Sequence, residues 1–209
     1  MSDWTLQTTG TNANLNGAII GSSNAFLIGD GGTIMVDLDG VNGAGGFTEV
    51  DLSALTIDTN LNALDAVAGG ALFVVGDEGI ILAIDQGVPV IRLASNTTKN
   101  LNAIAVNPGG NVAFAVGDNG TALMSTDLTT WIAMETGTTE DLYGIVLANT
   151  GSTTYAVGAN GTVLAIGEGN SAWQSITTGF SETLYDVIVT SDGVFAVGEN
   201  GQMIMGTID

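Results

Sequence analysis

A short turn flanked by glycines recurs five times along the chain and constrains the fold more than any other feature of the sequence. Each copy follows an apolar run, as in "FAVGDNGTALM" from Phe114. The first glycine of the turn lies at Gly29, Gly76, Gly117, Gly158 and Gly198. These positions are 47, 41, 41 and 40 residues apart. A leucine begins each unit with nearly the same period, at Leu15, Leu61, Leu101, Leu142 and Leu184.

A period of about 41 residues is typical of repeats that form one four-stranded sheet each. In the fourth unit the four strands are "LYGIVLA", "TTYAVG", "GTVLAI" and "WQSITTG". The second strands are almost continuously apolar, which is typical of strands buried on both faces. Glycine with Asp or Asn supplies the positive φ angles that tight turns need. The sequence therefore predicts an all-β fold, a five-bladed β-propeller of four-stranded antiparallel blades.

Three tryptophans indicate how the ring of blades closes. Trp131 and Trp173 begin fourth strands, and each lies eleven residues before the leucine of the next unit. Trp4 lies eleven residues before the first such leucine, whereas the last unit ends before its tryptophan. We therefore expect the N-terminal segment to be the outer strand of the last blade, because pairing the two ends covers both exposed strand edges. An open stack completed by another subunit is the alternative. Val50 and Val90 are expected at the tryptophan position of the first two units.

These boundaries predict one domain over residues 1–209, a length that suits a single core. Its predicted parts are the closing strand 1–14 and blades 15–60, 61–100, 101–141, 142–183 and 184–209. The third residues of the inner strands are Gly17, Ala63, Ala103, Gly144 and Asp186. Small side chains are expected there because five inner strands converge on a narrow axis, and the aspartate is the exception.

The composition excludes several classes of function. Acidic residues number 22 against one arginine and one lysine, for a net charge of −20. Phosphate backbones require Lys or Arg, and anionic lipid repels such a chain, so we expect no nucleic-acid partner and no membrane insertion. The chain has no Cys and no His, which removes disulfides, thiol nucleophiles, the usual zinc ligands and histidine bases. Its start lacks the basic and apolar regions of a signal peptide.

The repeat resembles that of the photosystem II stability/assembly factor family and its relatives with sialidase-type Asp boxes. The segment "VGDNGTALMSTDLTTW", Val116 to Trp131, is the nearest match to the pattern of an apolar-"VGD.G.I" strand pair followed by "S.D.G.TW". It lacks the glycine of the box and is one residue shorter. The resemblance extends over essentially the whole chain and implies the propeller fold, but this repeat occurs in proteins of many functions.

The turns place a ring of acids on one face of the predicted propeller. They are Asp30, Asp77, Asp118 and Glu199, with Ala159 at the equivalent position of the fourth unit. A cation-binding or partner-binding rim is one interpretation, since carboxylate oxygens suit Ca²⁺. The other is turn chemistry, because Asp and Asn stabilise tight turns through their own backbone. We expect no cofactor unless this rim binds Ca²⁺.

The loops that lead into the inner strands should lie on the same face. They carry Asn16, Asn62 and Asn102 in the first three units and Tyr143 and Tyr185 in the last two. Amides and tyrosines are typical of contacts with carbohydrate or protein. The structural alternative is that these side chains cap strands and loops.

Two other features of the sequence are candidate sites. The first unit carries an insertion, "VDLDGVNGAGGF", whose spacing does not follow a calcium loop and which we interpret as a structural loop or docking point. Asp65 and Asp186 are the one carboxylate pair that could face the axis, as a hydrolase would need. A polar channel is the alternative, and sialidase chemistry lacks its arginine cluster because Arg92 stands alone.

The sequence therefore predicts a non-enzymatic binding or structural module. The leading hypothesis is a bacteriophage virion protein, a head decoration, tail or fibre-associated propeller, whose partners are other subunits of the particle. It would reach the virion or an extracellular surface after synthesis in the cytoplasm. A lectin-like or adhesion propeller that binds glycans is the first alternative, and a Ca²⁺-dependent hydrolase is the second.

Overall fold

The computed structural model of the chain describes residue 6 and residues 8–20, 24–37, 46–68, 70–85, 90–148 and 153–207. Within them, nineteen strands form five antiparallel sheets, numbered as blades 1 to 5 in chain order. Blade 1 contains β1 (Leu15–Ile20), β2 (Ala25–Gly29), β3 (Ile34–Asp37) and β4 (Thr48–Glu49). Blade 2 contains β5 (Leu61–Ala66), β6 (Leu72–Gly76), β7 (Ile81–Ile84) and β8 (Val90–Leu93). Blade 3 contains β9 (Leu101–Val106), β10 (Ala113–Gly117), β11 (Ala122–Ser125) and β12 (Ile132–Ala133).

The last two blades differ in strand number. Blade 4 contains β13 (Leu142–Leu147), β14 (Thr153–Gly158), β15 (Val163–Gly167) and β16 (Gln174–Ser175). Blade 5 contains β17 (Leu184–Thr190), β18 (Gly193–Gly198) and β19 (Met203–Gly206). Each sheet is a simple meander in which every strand pairs with its neighbour in the chain. Among the described residues, blade 5 therefore has three strands where the other blades have four.

The predicted all-β class is confirmed. Apart from the strands, the described residues form short 3₁₀ turns of three residues and no α-helix. In that part of the chain, no helix is long and apolar enough to cross a membrane. The apolar second and third strands form the sheet centres because they are buried on both faces, as in β6, whose five residues are all buried.

The glycine-flanked turns join the second and third strands of every blade. The middle residue has φ between 51° and 62°, and the residues concerned are Gly31, Glu78, Asn119, Asn160 and Asn200. Gly and Asn adopt this left-handed conformation at low cost, so the repeated Asn-Gly and Gly-Gly pairs account for the turn. Glu78 is the exception, because its longer side chain gives no such advantage.

The hydrophobic core is divided into four layers, one at each junction between neighbouring blades. The layer between blades 3 and 4, for example, combines Phe114 and Val116 with Leu142, Leu164 and Trp173. The other three layers lie between blades 1 and 2, 2 and 3, and 4 and 5. Each blade is therefore stabilised mainly by the blade before it and the blade after it, as in other repeat proteins.

Among the described strands, neighbouring blades share extensive junctions, and none of this extent joins blade 5 to blade 1. The inner strands pack side by side in the order β1, β5, β9, β13 and β17, and no comparable contact joins β17 to β1 among the described strands. The first leucines of blades 2 to 5 have no exposed surface, whereas Leu15 of blade 1 is 41% exposed. The predicted closing strand cannot be compared directly, because residues 1–5 and 7 lie outside the described part of the chain.

Two of the tryptophans pack back onto the preceding blade. Trp173 of blade 4 meets Phe114 of blade 3 edge-on, with ring centroids 5.8 Å apart and an angle of 74° between the planes. Trp131 of blade 3 belongs to the same apolar layer as Phe73 of blade 2. Both indole N–H groups are buried without a hydrogen-bond partner. The tryptophans therefore act through apolar packing and not through their polar atom.

The register of blade 1 corrects one detail of the sequence interpretation. The N–H of Val50 donates to the oxygen of Ile34 at 2.8 Å. The equivalent bond in blade 3 comes from Met134, three residues after Trp131. Phe47, three residues before Val50, therefore stands at the tryptophan position of blade 1, and assigning Val50 there was wrong. Three additional residues between this strand and Leu61, in the segment that contains the 3₁₀ turn Ser53–Leu55, displaced the apparent alignment.

Small residues at the third position of the inner strands are required by the next blade. A Cβ atom built onto Gly17 would lie 2.5 Å from Cδ2 of Leu64 in blade 2. One built onto Gly144 would lie 2.9 Å from the main chain of Tyr185 and Asp186 in blade 5. The close approach of the neighbouring blade therefore accounts for these glycines.

Candidate functional site

Three asparagines make the same pair of hydrogen bonds on the face that carries the glycine turns. In blade 3, Nδ2 of Asn102 donates to Oδ1 of Asp118 at 2.9 Å and to the main-chain oxygen of Leu142 in blade 4 at 3.0 Å. The same two bonds join Asn16 to Asp30 and Leu61, and Asn62 to Asp77 and Leu101. This arrangement, termed here the Asn–Asp latch, connects one blade to the next.

The second carboxylate oxygen of the latch is also occupied in the first two blades. Asn14 donates to Oδ2 of Asp30 at 2.7 Å, and Asn60 donates to Oδ2 of Asp77 at 3.1 Å. The hydrogen bonds from Asn16 and then Asn14 lower the pKa of Asp30, because they stabilise its charged form. The described residues contain no cluster of three or more acids that could hold a metal ion. A structural role accounts for these acids, and Ca²⁺ binding by the rim stays a prediction.

The latch is absent from blades 4 and 5, where tyrosines replace the asparagines. Tyr143 stands in a blade whose turn has Ala159 in place of the acid. Tyr185 donates its hydroxyl to Oε1 of Glu199 at 3.1 Å. The two rings lie side by side with centroids 5.9 Å apart at an angle of 49°, and Tyr185 is 51% exposed. An aromatic pair thus interrupts a surface that is otherwise built from amides and carboxylates.

Acidic groups surround the two tyrosines. Burial raises the pKa of Tyr143, and the negative charges of Asp141 and Asp118 raise it further. The hydrogen bond to Glu199 is the main cause of the raised pKa of Tyr185. Both hydroxyls therefore stay protonated throughout the neutral range. Tyr143, Tyr185, Asp141 and Glu199 are termed the tyrosine patch, and they offer aromatic faces beside negative charge.

The candidate catalytic carboxylates have different surroundings. Oδ1 of Asp65 accepts the N–H of Ala66 at 2.8 Å, and Oδ2 accepts the N–H of Val106 in blade 3 at 2.7 Å. Asp65 therefore clamps blade 2 to blade 3. Asp186 stands at the third position of β17, not at the fifth as Asp65 does in β5, and its Oδ1 accepts the N–H of Val187 at 2.8 Å. This geometry assigns Asp65 a structural role, and catalysis by the pair stays an untested prediction.

The segment that resembles an Asp box folds around Asp127. Its Oδ1 accepts the N–H groups of Thr129 and Thr130 at 2.8 and 2.7 Å, and these bonds hold the pKa of Asp127 well below its usual range. Leu128 has a φ of 60° and stands where the box pattern has its glycine. The turn leads directly into Trp131. The box therefore positions a tryptophan.

The insertion of blade 1, also considered as a docking point, has its residues 38–45 outside the described part of the chain.

A cleft of about 740 Å³ lies between blades 4 and 5. Its walls include Tyr155 and Val163 of blade 4 and Ile204 and Gly206 of blade 5. A smaller cleft of about 440 Å³ between blades 3 and 4 includes Phe114 and Asn170. The sequence interpretation did not predict either cleft. The signal that was available is the missing tryptophan of blade 5, because the larger cleft lies where that side chain would be.

The fold is similar to those of solved β-propellers. A structure described as YCF48 bound to D1 peptide shares 18% identity, covering 96% of this chain and 65% of that chain with a TM-score of 0.72. YCF48 from Cyanidioschyzon merolae shares 13% identity over 100% of this chain and 71% of that chain, with a TM-score of 0.73. A catalytically inactive virginiamycin B lyase from Staphylococcus aureus with quinupristin shares 11% identity over 96% and 72%, with a TM-score of 0.74.

These comparisons establish the class of fold alone. No family model matches the chain, and no curated protein matches it. The chain spans just under two thirds of the first of the solved structures. The YCF48 structures support the predicted resemblance at the level of the β-propeller fold. The chain is a β-propeller protein with five blades.

Proposed function

We propose that the chain is a non-enzymatic, protein-binding module of a larger assembly and that it contacts its partner through the tyrosine patch. The observation behind this proposal is the replacement of the Asn–Asp latch in blades 4 and 5. Asn62 and Asn102 show that an amide in this position connects two blades. A purely structural role would be met by the same amide in blade 4, which has a following blade to bond. Tyr143 and Tyr185 instead present aromatic surface to solvent.

The chemistry of the patch favours a partner with arginine or lysine side chains. Tyrosines are enriched at protein interfaces because they combine apolar contact area with one hydrogen-bonding group. A cation over a tyrosine face gains about 0.5–1 kcal/mol at an exposed site. Asp141 and Glu199 lie beside the rings, and the whole chain carries a net charge of −20. Charge complementarity would therefore steer a basic segment to this face.

One similar structure supports a peptide as the kind of partner. YCF48 is described as bound to D1 peptide, and we propose that a peptide likewise binds this chain, at the tyrosine patch. We extend the proposal to a bacteriophage particle, with the propeller on a head, tail or fibre and exposed on the virion or an extracellular surface. The support for this extension is compositional, namely the Gly-rich, acidic chain with two basic residues.

Restoring the latch is the direct test of the patch. The double variant Tyr143→Asn with Ala159→Asp reproduces the latch residues in blade 4, with Leu184 of blade 5 as the main-chain acceptor. Tyr185→Asn with Glu199→Asp reproduces in blade 5 only the bond within the blade, because no described blade follows it. We expect the blade 4 variant to melt at or above the wild-type temperature, because it gains a hydrogen bond to blade 5, and the blade 5 variant to fold as the wild type does. Binding is measured by NMR of the tyrosine rings during titration with a short Arg-Gly repeat peptide and a matched Glu-Gly repeat peptide.

We expect the Arg-Gly peptide to shift the Tyr143 and Tyr185 signals of the wild type, the Glu-Gly peptide to leave them unchanged, and the latch variants to lose the binding. Tyrosine signals that do not respond to the Arg-Gly peptide would refute the proposed site. A response to neutral oligosaccharides instead would favour the lectin alternative, because exposed aromatic faces also stack on sugar rings.

The assembly part of the proposal is tested by the native mass of the protein from its source. Gentle lysis followed by light scattering should place the protein in a large particle at fixed stoichiometry. A free species of 21.0 kDa would contradict membership of a virion.

A further inference from the structure

The junction between blades 3 and 4 is open where the junction between blades 2 and 3 is filled. Its cleft of about 440 Å³, termed here the blade 3/4 cleft, lies at the end of the blades opposite the glycine turns. Between blades 2 and 3, the side chains of Val67 and Leu128 pack against the apolar layer. Their counterparts in the next junction are Asn107 and Gly169, and both line the cleft. The cleft therefore lies where the repeat exchanges two apolar residues for an amide and a glycine.

The two pairs of residues are equivalent by their position in the repeat. Val67 and Asn107 each lie six residues after the first leucine of their blade. Leu128 and Gly169 each lie five residues after the buried leucine of the third strand, and their φ angles of 60° and 77° are both left-handed. The backbone is thus alike at the two junctions, and the side chains differ.

A third replacement places a hydroxyl on the wall of the cleft. Thr154 pairs with Leu147 in blade 4 as Ala113 pairs with Val106 in blade 3. Ala113 is fully buried in the apolar layer, whereas Thr154 lines the cleft and is 6% exposed. Its hydroxyl makes no hydrogen bond to any described residue. Because a buried hydroxyl without a hydrogen bond costs free energy, Thr154 is ready to bond a polar group that enters the cleft.

Three amides and one carboxylate stand around the opening. Oδ1 of Asn107 accepts the N–H of Gly109 at 2.6 Å, which orients this side chain and leaves its Nδ2 as a donor. The side chains of Asn111, Asn170 and Glu168 also line the cleft and make no hydrogen bond to the described part of the chain. The opening therefore offers several donors and acceptors that the fold itself does not use.

We propose that the blade 3/4 cleft binds a neutral sugar through one or two pyranose rings. Sugar hydroxyls both donate and accept, which suits amides, a hydroxyl and a carboxylate placed side by side. The C–H faces of the ring need apolar contact, which Met124 and Leu147 supply on the walls. The volume of the cleft is within the usual range of small-ligand sites. Glu168 and the net charge of −20 disfavour anionic ligands such as phosphates and acidic sugars.

This site differs from the rim of asparagines and tyrosines that the sequence suggested for glycans. Asn102 and Tyr143 lie at the glycine-turn end of the blades, and neither lines the cleft. The inference is likewise independent of the tyrosine patch. Residues 149–152, which join Ala148 to Thr153, lie outside the described residues, and the site is defined by the described residues alone.

NMR of the methionine methyl groups tests the proposal, because Met124 lines the cleft. The signal of Met124 is assigned with the variant Met124→Leu. The protein is titrated with the methyl glycosides of glucose, galactose and mannose, and in parallel with the 6-carboxylate form of each sugar. We expect at least one neutral glycoside to shift the Met124 signal in a saturable manner and its 6-carboxylate form to bind at least tenfold more weakly. Met35, which is buried in blade 1, is the internal reference and should not shift.

Filling the cleft provides the matched variant. Asn107→Val with Gly169→Leu reproduces the apolar residues of the junction between blades 2 and 3, and the left-handed φ of Leu128 shows that leucine is accepted in this backbone. We expect this variant to melt near the wild-type temperature and to lose at least tenfold in sugar affinity. Thr154→Ala is a milder change and should weaken binding about three- to tenfold by removing one hydrogen bond. Thr139→Ala, at an exposed threonine of the opposite end, is the control and should bind as the wild type does.

Three results would overturn the proposal. One is a Met124 signal that none of the neutral glycosides moves. Another is an equal response in the wild type and in both cleft variants, which would place the sugar elsewhere. The third is a stronger response to butylammonium chloride than to any glycoside, which would identify a cation site instead. Because the readout is the Met124 methyl group, each result is independent of whether the Arg-Gly peptide binds the tyrosine patch.

Discussion

At the scale of single residues, small polar side chains determine how one blade is connected to the next. Asn102 bonds a turn carboxylate and a main-chain oxygen of the following blade, and Asp65 accepts an N–H from the blade after its own. The sequence analysis identified these positions and left their role open between ligand binding and structure. The sequence did contain a signal for the structural role, because the second residue of each inner strand varies with the turn of the same blade. It is Asn where the turn has Asp, and Tyr where the turn has Ala or Glu.

Glu78 should be the least favourable residue in the five glycine turns. It holds a φ of 57°, whereas the same position has Asn or Gly in the other blades. We expect Glu78→Asn to raise the free energy of unfolding by about 0.5–1 kcal/mol, because Asn tolerates the left-handed region better. Urea denaturation measures the change. The reverse substitution Asn119→Glu is the control and should destabilise the protein by a similar amount. A loss of stability for Glu78→Asn together with a gain for Asn119→Glu would refute this explanation.

Asp127 should make the stability of the folded protein depend on pH in the acidic range. Its pKa in the folded protein lies below the unfolded value of about 3.9, so its contribution is present above that pH and is lost as the pH falls through the folded pKa. We expect wild type to be more stable than Asp127→Asn at pH 7 and the difference to shrink between about pH 4 and 2. Thermal melts of both proteins across this range measure it. A difference that does not vary with pH would show that the charge is unimportant.

At the scale of elements, the strands were predictable and the pairing of the outermost strand was not. The apolar second strands and the Asn-Gly turns depend on neighbours in the chain, so their positions follow from local spacing. In blade 1, fourteen residues and not eleven lead from the tryptophan position to the next leucine, as the hydrogen bond from Val50 to Ile34 shows. Spacing back from Leu61 therefore pointed to Val50, whereas the sheet places Phe47 there.

The tryptophans should stabilise the blade junctions by packing alone. Trp173 is buried against Phe114, and its indole N–H has no partner. We expect Trp173→Ala to cost about 3–5 kcal/mol of unfolding free energy, and Trp173→Phe to cost much less because no hydrogen bond is lost. Urea denaturation distinguishes them. Ile132→Ala, at a side chain that is 53% exposed, is the control and should stay within about 1 kcal/mol of wild type. Equal losses for the Phe and Ala variants would contradict the packing role.

At the scale of the whole molecule, the charged side chains of the five blades are almost all negative. The chain has 22 acidic residues and two basic ones. Repulsion between like charges opposes the compact state, and salt screens it. The stack is nevertheless held by the apolar layers that lie between neighbouring blades.

Salt should therefore raise the melting temperature. We expect a steady rise as sodium chloride increases from about 10 mM to 500 mM, because the Debye length falls from about 30 Å to a few ångströms. Tetramethylammonium chloride is the control and should act alike, since screening depends on ionic strength. A large rise with millimolar calcium chloride alone would instead indicate a specific Ca²⁺ site at the rim of acids. A falling melting temperature would show that attractive charge pairs dominate.

Local spacing was sufficient to predict the all-β class, the five units, the turns and the tryptophan-bearing strands, because each depends on residues close together in the chain. The latch, the tyrosine pair and the cleft between blades 4 and 5 required the folded molecule. Asn62 and Leu101 are 39 residues apart, and they meet only because successive blades stack. The relation between blades 1 and 5 is likewise decided by tertiary packing, since a repeat period specifies each blade but not the angle between neighbouring blades.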